Sequence, residues 1–460
     1  MIAAQQPVRF FIVTATVFGM LFLLITPPFQ GADEVVHFLR AYQVSGGNLV
    51  IDNTPKGPGG EMPTALSKII TATSQPPVQF HWEYKYNWHE TVSALQVRDV
   101  RGQHMFYDLS PTAPYPPVPY VPAVIGIDIS RLLHLPPMVS LYAGRLGNLL
   151  AWVALIALAI KLLPSRKWAM VAIGLLPMGL FQASMLNGDV VTTGTLALFL
   201  ALILYYKEQK TRLGKKELAY LLLTASAMVL SKQVMVVFLP LLLLLGKQNF
   251  ASIKARRITC AGLMVVPLLV FAVWFMIAQG INIKASYANG QDPAAQVSFV
   301  LHNPLRYAIA NTNTFFFNWG DSITRSFVGT FGWADTPLSE NIVTIGYIGL
   351  FLLLVGTYEN NIKSQLTRRE KQLVLLTAAL CWLAIGAALY LYYSPVGFRI
   401  LYGLQGRYYI PVAVALVPII WTRRIKLDRS LYQALAVVLP LFLLSSSVVT
   451  VFVRYFIRNV

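Results

Sequence analysis

Stretches of 17 or more mostly apolar residues recur along this 460-residue chain, beginning with Phe10–Thr26. Inside a bilayer a segment must satisfy its own backbone polar groups, so runs of this length cross as helices. Charge is correspondingly scarce: 12% of residues are Asp, Glu, Lys or Arg, against about 25% in soluble domains. The expected fold class is an all-α polytopic membrane protein. The formal charge of +18 sits in short clusters between the apolar runs, a pattern of cytoplasmic loops that argues against a nucleic-acid partner. Cys260 and Cys381 lie within or at the edge of apolar runs, without companions at metal-ligand spacing, and are read as packing residues. No small-x-small cleavage site precedes Asp33, so the first run is expected to stay as a helix.

One polar stretch, from about Pro27 to Pro137, contains a short apolar piece, Val118–Leu133, interrupted by Asp128 and Arg131. Whether it spans decides the topology. If it does not, spans fall near 10–26, 139–163, 168–186, 190–206, 218–231, 233–246, 258–279, 341–357, 372–393, 407–421 and 430–453. Arg9 and the loops Lys161–Trp168, Lys207–Glu217, Lys247–Arg257, Tyr358–Lys371 and Thr422–Arg429 then hold 21 of the 37 Lys and Arg on one side. If it spanned, nearly all of these would move outward, against the positive-inside rule. The expectation is therefore about eleven transmembrane helices, with the N-terminus cytoplasmic and Val118–Leu133 a juxtamembrane or re-entrant helix on the outer face. Residues 1–279 form a transmembrane module that includes a first outer loop, 27–137. Residues 280–340 form a second outer loop, and 341–460 the C-terminal transmembrane helices.

Short inner loops and long outer ones place the chemistry outside the cytoplasm. Asp33 and Glu34 follow the first span and open an amphipathic helix, with Val35, Phe38, Leu39 and Tyr42 on one stripe and Asp33, His37 and Arg40 on the other. That stripe is expected to face lipid. The pair is either a catalytic centre or a helix cap favoured by the dipole. An Asp-x-x-x-His spacing could also hold a metal, though only two ligands are present. Asp189 opens the fourth span after Asn187-Gly188, where a carboxylate is either functional or an N-cap. Lys232, at a similar boundary, reads as a snorkelling side chain. Arg145 and Arg407 begin the second and tenth spans, as phosphate ligands or as lipid anchors. The aromatic segments Phe315–Trp319 and Gly329–Pro337 suit either a membrane belt or a sugar-stacking surface.

The order of these features resembles the GT-C superfamily of membrane glycosyltransferases, in particular lipid A aminoarabinose transferases and protein O-mannosyltransferases. Asp33-Glu34, Pro116-Pro117-Val118-Pro119-Tyr120, Arg145 and Asp189 stand where that superfamily has an acidic pair, a Pro-Pro-led surface helix, an arginine and a second carboxylate. The chain is still more similar to a bacterial membrane family known as domain-of-unknown-function family 2142. That similarity runs through Asp33-Glu34-x-x-His37, Tyr115-Pro116-Pro117-Val118-Pro119-Tyr120, Gly329-x-Phe331-Gly332-Trp333-x-Asp335-Thr336-Pro337 and Gly406-Arg407-Tyr408-Tyr409-Ile410-Pro411. Two departures from the GT-C enzymes stand out. His37-Phe38 replaces an Arg-Tyr, and Tyr115 replaces the lysine that precedes Pro-Pro in the aminoarabinose transferases.

The GT-C resemblance implies an inverting transfer of a sugar from a polyprenyl-phosphate-linked donor to a lipid or cell-wall glycan acceptor, on the outer face of the bacterial inner membrane. Asp33 is the implied base and Glu34 its partner. His37, Tyr120, Arg145, Asp189, Trp333, Asp335, Arg407 and Tyr408, taken from the two resemblances together, are the implied substrate-binding residues. Asp33 and Glu34 are the implied ligands of a divalent metal, Mg or Mn, should one be used. The alternatives are a lipid or polysaccharide transporter and a polysaccharide polymerase. A transporter calls for charges near mid-membrane and inverted halves; here the charges gather at the outer edge.

Overall fold

The computed structural model describes residues 6–74, 78–279, 291–358, 366–420 and 424–457. The beginning of the expected second outer loop and parts of two expected inner loops therefore lie outside the described residues. Helical backbone dominates, and six helices among the described residues are long and apolar enough to cross a membrane. They are α1 (Pro7–Ile25), α6 (Pro137–Leu162), α9 (Asp189–Gln209), α11 (Ile253–Gln279), α16 (Arg368–Tyr393) and α18 (Arg429–Phe456). The other expected spans are helical but shorter. The third divides into α7 (Lys167–Gly174) and α8 (Pro177–Ala183), because Pro177 cannot continue the hydrogen-bond ladder of the preceding turn. The fifth and sixth are α10 (Lys215–Ser231) and a 3₁₀ helix, Gln233–Leu244, which meet at an extended Lys232. The eighth is α15 (Glu340–Val355), and the tenth runs from a 3₁₀ turn, Gly406–Tyr409, into α17 (Ile410–Leu416).

α9 is the hub. Nearly nine-tenths of its apolar length (89%) is buried inside the protein, whereas α11 buries only 17% and lies at the periphery. One large apolar core surrounds α9, and a second, smaller core lies beneath the first polar segment.

That segment contains α2 (Glu34–Ser45), α3 (Thr64–Ala72), α4 (Trp88–Ala94) and α5 (Val121–Leu132). It also contains a three-stranded antiparallel sheet, β1 (Asp52–Thr54), β2 (Gly57–Pro63) and β3 (His104–Asp108), with Gly60 opposite Tyr107. The all-α expectation is corrected by this sheet. Its central strand reads Gly-Pro-Gly-Gly-Glu-Met-Pro, which carries no strand signal; distant pairing with β3 holds it. The stripe expected to meet lipid is corrected as well. Phe38, Leu39 and Tyr42 are buried in the smaller core, together with Ile51, Met62, Leu66 and Ile127. α5, at 12 residues, is too short to cross. It lies tightly on α6, and a Cβ at Gly126 or Gly147 would come within 2.1 Å of the carbonyl oxygen of Ala143 or Pro122.

Beyond α11, the described part of the second polar segment folds as α12 (Pro293–His302), α13 (Pro304–Asn313), a π turn at Thr314–Asn318, α14 (Gly320–Val328) and a two-stranded ladder. That ladder pairs β4 (Thr330–Phe331) with β5 (Thr336–Pro337).

Candidate functional site

Between α1 and α2 the chain runs through Thr26-Pro27-Pro28-Phe29-Gln30-Gly31-Ala32, all of it buried, and only Asp33 emerges. Phe29 and Asp33 both adopt left-handed backbone, with φ of 62° and 59°. Non-glycine residues rarely do so, and two in one buried loop must be held by their surroundings.

The holding is done by Glu34 and Arg145. Arg145 Nε donates to Glu34 Oε1 at 2.7 Å and Nη2 donates to Oε2 at 2.6 Å. Its remaining N–H groups reach the carbonyl oxygens of Leu23 (3.2 Å), Thr26 (2.8 Å) and Pro27 (2.9 Å). Glu34 in turn accepts from the backbone N–H of Leu186 (3.0 Å) and of Gly31 (3.2 Å). Both side chains are fully buried. All five guanidinium donors are therefore taken, so Arg145 has none left for a phosphate. The expected substrate-binding role of Arg145 gives way to a positioning one, and Glu34 has no free oxygen for a ligand.

Asp33 is the opposite case. Its side chain is 57% exposed, and its nearest cation is Arg407 Nη2, 3.9 Å from Oδ2. Arg407 is buried and carries an Nε without a partner among the described residues. It lies 5.1 Å from the Tyr408 ring centroid, and Lys232 Nζ approaches the same ring at 4.8 Å. Lys232 also donates to Asp189 Oδ1 at 3.1 Å, both side chains remaining partly open. One turn along α2, the half-buried His37 shares a 2.9 Å hydrogen bond with the Tyr120 hydroxyl, beside Tyr115. Burial lowers the proton affinity of His37 to about 4, against the opposing pull of Asp33 and Asp189. The structure thus joins Asp33, His37, Tyr120, Asp189, Arg407 and Tyr408 in one cluster. Lys232, which the sequence suggests is a snorkelling side chain, completes it.

Trp333 and Asp335 lie in a neighbouring clamp. Trp333 Nε1 donates to the Phe29 carbonyl at 3.1 Å, tying the second polar segment to the Asp33 loop. The Asp335 side chain is closed off from solvent and accepts from the Phe80 N–H (3.1 Å) and from Arg454 Nη2 (3.3 Å). Arg454 also donates to the Val78 carbonyl, and the Tyr86 N–H donates to the Tyr455 carbonyl. These bonds fasten three distant pieces of chain together. Asp335 is corrected from substrate contact to clamp, because its carboxylate is engaged by protein and closed to solvent.

For the implied divalent metal, the donor set fits poorly. Asp33 and Glu34 point to different partners, and among the described residues no group of three His, Cys, Asp or Glu could hold an ion.

A family model described as "Predicted membrane protein (DUF2142)" matches residues 16–416, which takes in every member of the cluster. The chain belongs to this family. No curated protein and no solved structure matches it. Within this DUF2142 chain, the cluster draws on α2, on the turn before α5, on α9, on the break between α10 and the 3₁₀ helix, and on the turn before α17.

Proposed function

We propose that this membrane protein is a glycosyltransferase that moves a sugar from a polyprenyl-phosphate-linked donor to a cell-envelope acceptor, with inversion. The observation that carries the reading is the pairing of an exposed, loosely held carboxylate with two cations on one aromatic ring. The GT-C resemblance supplies the donor class.

In this reading, Asp33 takes the proton of an acceptor hydroxyl as that oxygen attacks the anomeric carbon. The bond from that carbon to the phosphate oxygen breaks, and the departing phosphate gains charge. Arg407 and Lys232, against Tyr408, meet that charge. A positioned base supplies about 10²–10⁴ in rate. His37 stays neutral near pH 7 and shares its proton with Tyr120, which leaves Asp33 as the charged group of α2 at the site. Glu34 and Arg145 act through Asp33 by setting the loop that presents it. Lys232 takes the place of the lysine absent before Pro116.

The test is turnover of purified protein with a panel of radiolabelled polyprenyl-phosphate sugars, with and without divalent metal, comparing the parent with Asp33→Asn. Transfer by the parent and a rate about 10²–10⁴ lower in the variant are expected. Undiminished transfer by Asp33→Asn would remove Asp33 as base.

A further inference from the structure

The second polar segment, taken from sequence as an outer loop, contains a piece that packs deep along α16. Tyr307 donates its hydroxyl to the Leu383 carbonyl, Asn311 faces Gly386, and Phe315 meets Trp382 edge-on at 5.6 Å. The depth follows from helix rise. From Asp189 down to Lys207, α9 drops about 27 Å, and from Glu370 up to Trp382, α16 climbs about 18 Å, at 1.5 Å per residue. Lys207 and Glu370 are ion-paired, which sets the two helices at one level there. Trp382 stands near the middle of α16, a helix long enough to cross a membrane, and Phe315 packs against it there.

Apart from Arg306 and Asn318, what Pro304–Trp319 exposes is apolar. Leu301, Leu305 and Ile309 repeat every four residues, 73%, 72% and 50% exposed, and Phe316 and Phe317 continue the face at 61% and 80%. Three of its polar side chains turn back on its own backbone. Thr312 donates to the Ala308 carbonyl, Thr314 to that of Ala310 and Asn318 to that of Asn313. That is how a backbone stretch survives without water. Arg306, the one charged residue of α13, is in its first turn, where a long stem reaches headgroups. The π turn at Thr314–Asn318 aims Phe315 inward and Phe316 and Phe317 outward; such turns often mark functional positions.

We propose that residues Pro304–Trp319 are a re-entrant segment in the bilayer, and that Phe316 and Phe317 form a face for the hydrocarbon chains of membrane lipid. Phe315 packs edge-on against Tyr409 at 5.0 Å, two residues beyond Arg407. On the reading of the site given above, a lipid-anchored substrate would then reach the Arg407 side laterally along this face. The placement in the bilayer does not depend on that reading.

The test uses the full chain in phosphatidylcholine vesicles, with a nitroxide on Phe317→Cys. Cys260 and Cys381 are buried, so the introduced thiol is the one labelled, and the parent chain gives the blank. References are Val266→Cys, half-way along the peripheral α11, and Val92→Cys, on the exposed side of α4. The expected result is an oxygen-to-nickel-chelate collision ratio several-fold above Val92 and close to Val266, with a label on Leu305→Cys also above Val92. A ratio at Phe317 matching Val92 would overturn the proposal. Because the measurement involves no sugar transfer, its failure would be separate from failure of the glycosyltransferase reading.

Discussion

Asp33 and Glu34 are adjacent in sequence and opposite in circumstance. Glu34 is sealed, bidentate to an arginine 111 residues away, with two backbone N–H groups on its oxygens. Asp33 stands in the open with a single cation at 3.9 Å. A charge that the fold satisfies completely is architecture. A charge left partly unsatisfied beside other unsatisfied charges is available for chemistry. The same contrast separates the arginines: Arg145 spends every donor on protein, whereas the Arg407 Nε has no partner among the described residues.

The comparison can be broken. Arg145→Met leaves Glu34 buried and uncompensated, so it should lose about 3–5 kcal/mol of stability. Thermal unfolding in detergent should show a steep fall, with much of it recovered in Glu34→Leu/Arg145→Leu, where no charge is stranded. Asp33→Asn should cut turnover by about 10²–10⁴ while leaving the unfolding midpoint near that of the parent. A fall in stability comparable to Arg145→Met would mean that Asp33 is architecture too. Lys232→Met removes a charged hydrogen-bond partner, worth about 1.5–3 kcal/mol in net terms. Binding of the polyprenyl-phosphate donor, measured by equilibrium dialysis, should weaken by at least about tenfold, with folding retained.

The smallest effect expected is with pH. His37 has its proton affinity depressed to about 4 in the folded protein, against about 6.5 in an unfolded chain. As pH falls, the unfolded chain takes up the proton first. The contribution of His37 to stability is therefore complete above about 6.5 and is lost progressively towards 4. His37→Gln should flatten the dependence of the unfolding midpoint on pH across that window. An unchanged slope would show that His37 stays as open to water in the folded protein as in the unfolded one.

Much of this site is legible from residue type and order. Asp33, Asp189 and Arg407 stand out as charged groups at the ends of apolar runs, the family resemblance implies His37, Tyr120 and Tyr408, and the six do meet. Lys232 is harder to read. A basic residue at a helix end usually snorkels, and its role emerges only because α10 and the 3₁₀ helix break beside Asp189. Glu34 and Arg145 look as available as Asp33 and Arg407. Nothing local distinguishes them, since their bonds come from carbonyl and N–H groups on other segments. The β-sheet is illegible for the same reason: a Gly- and Pro-rich strand is held by a partner more than forty residues away.

The sequence by itself determined that this is a helical membrane protein and which charged residues needed an explanation. Apolar length and charge placement are properties of the chain's transfer between water and lipid, summed residue by residue. Only the tertiary structure decided which charges are spent and which are free. That depends on where backbone donors and acceptors arrive, and on which side of a helix a neighbour packs. At Asp33-Glu34 one residue's difference in sequence became the difference between a surface and a core.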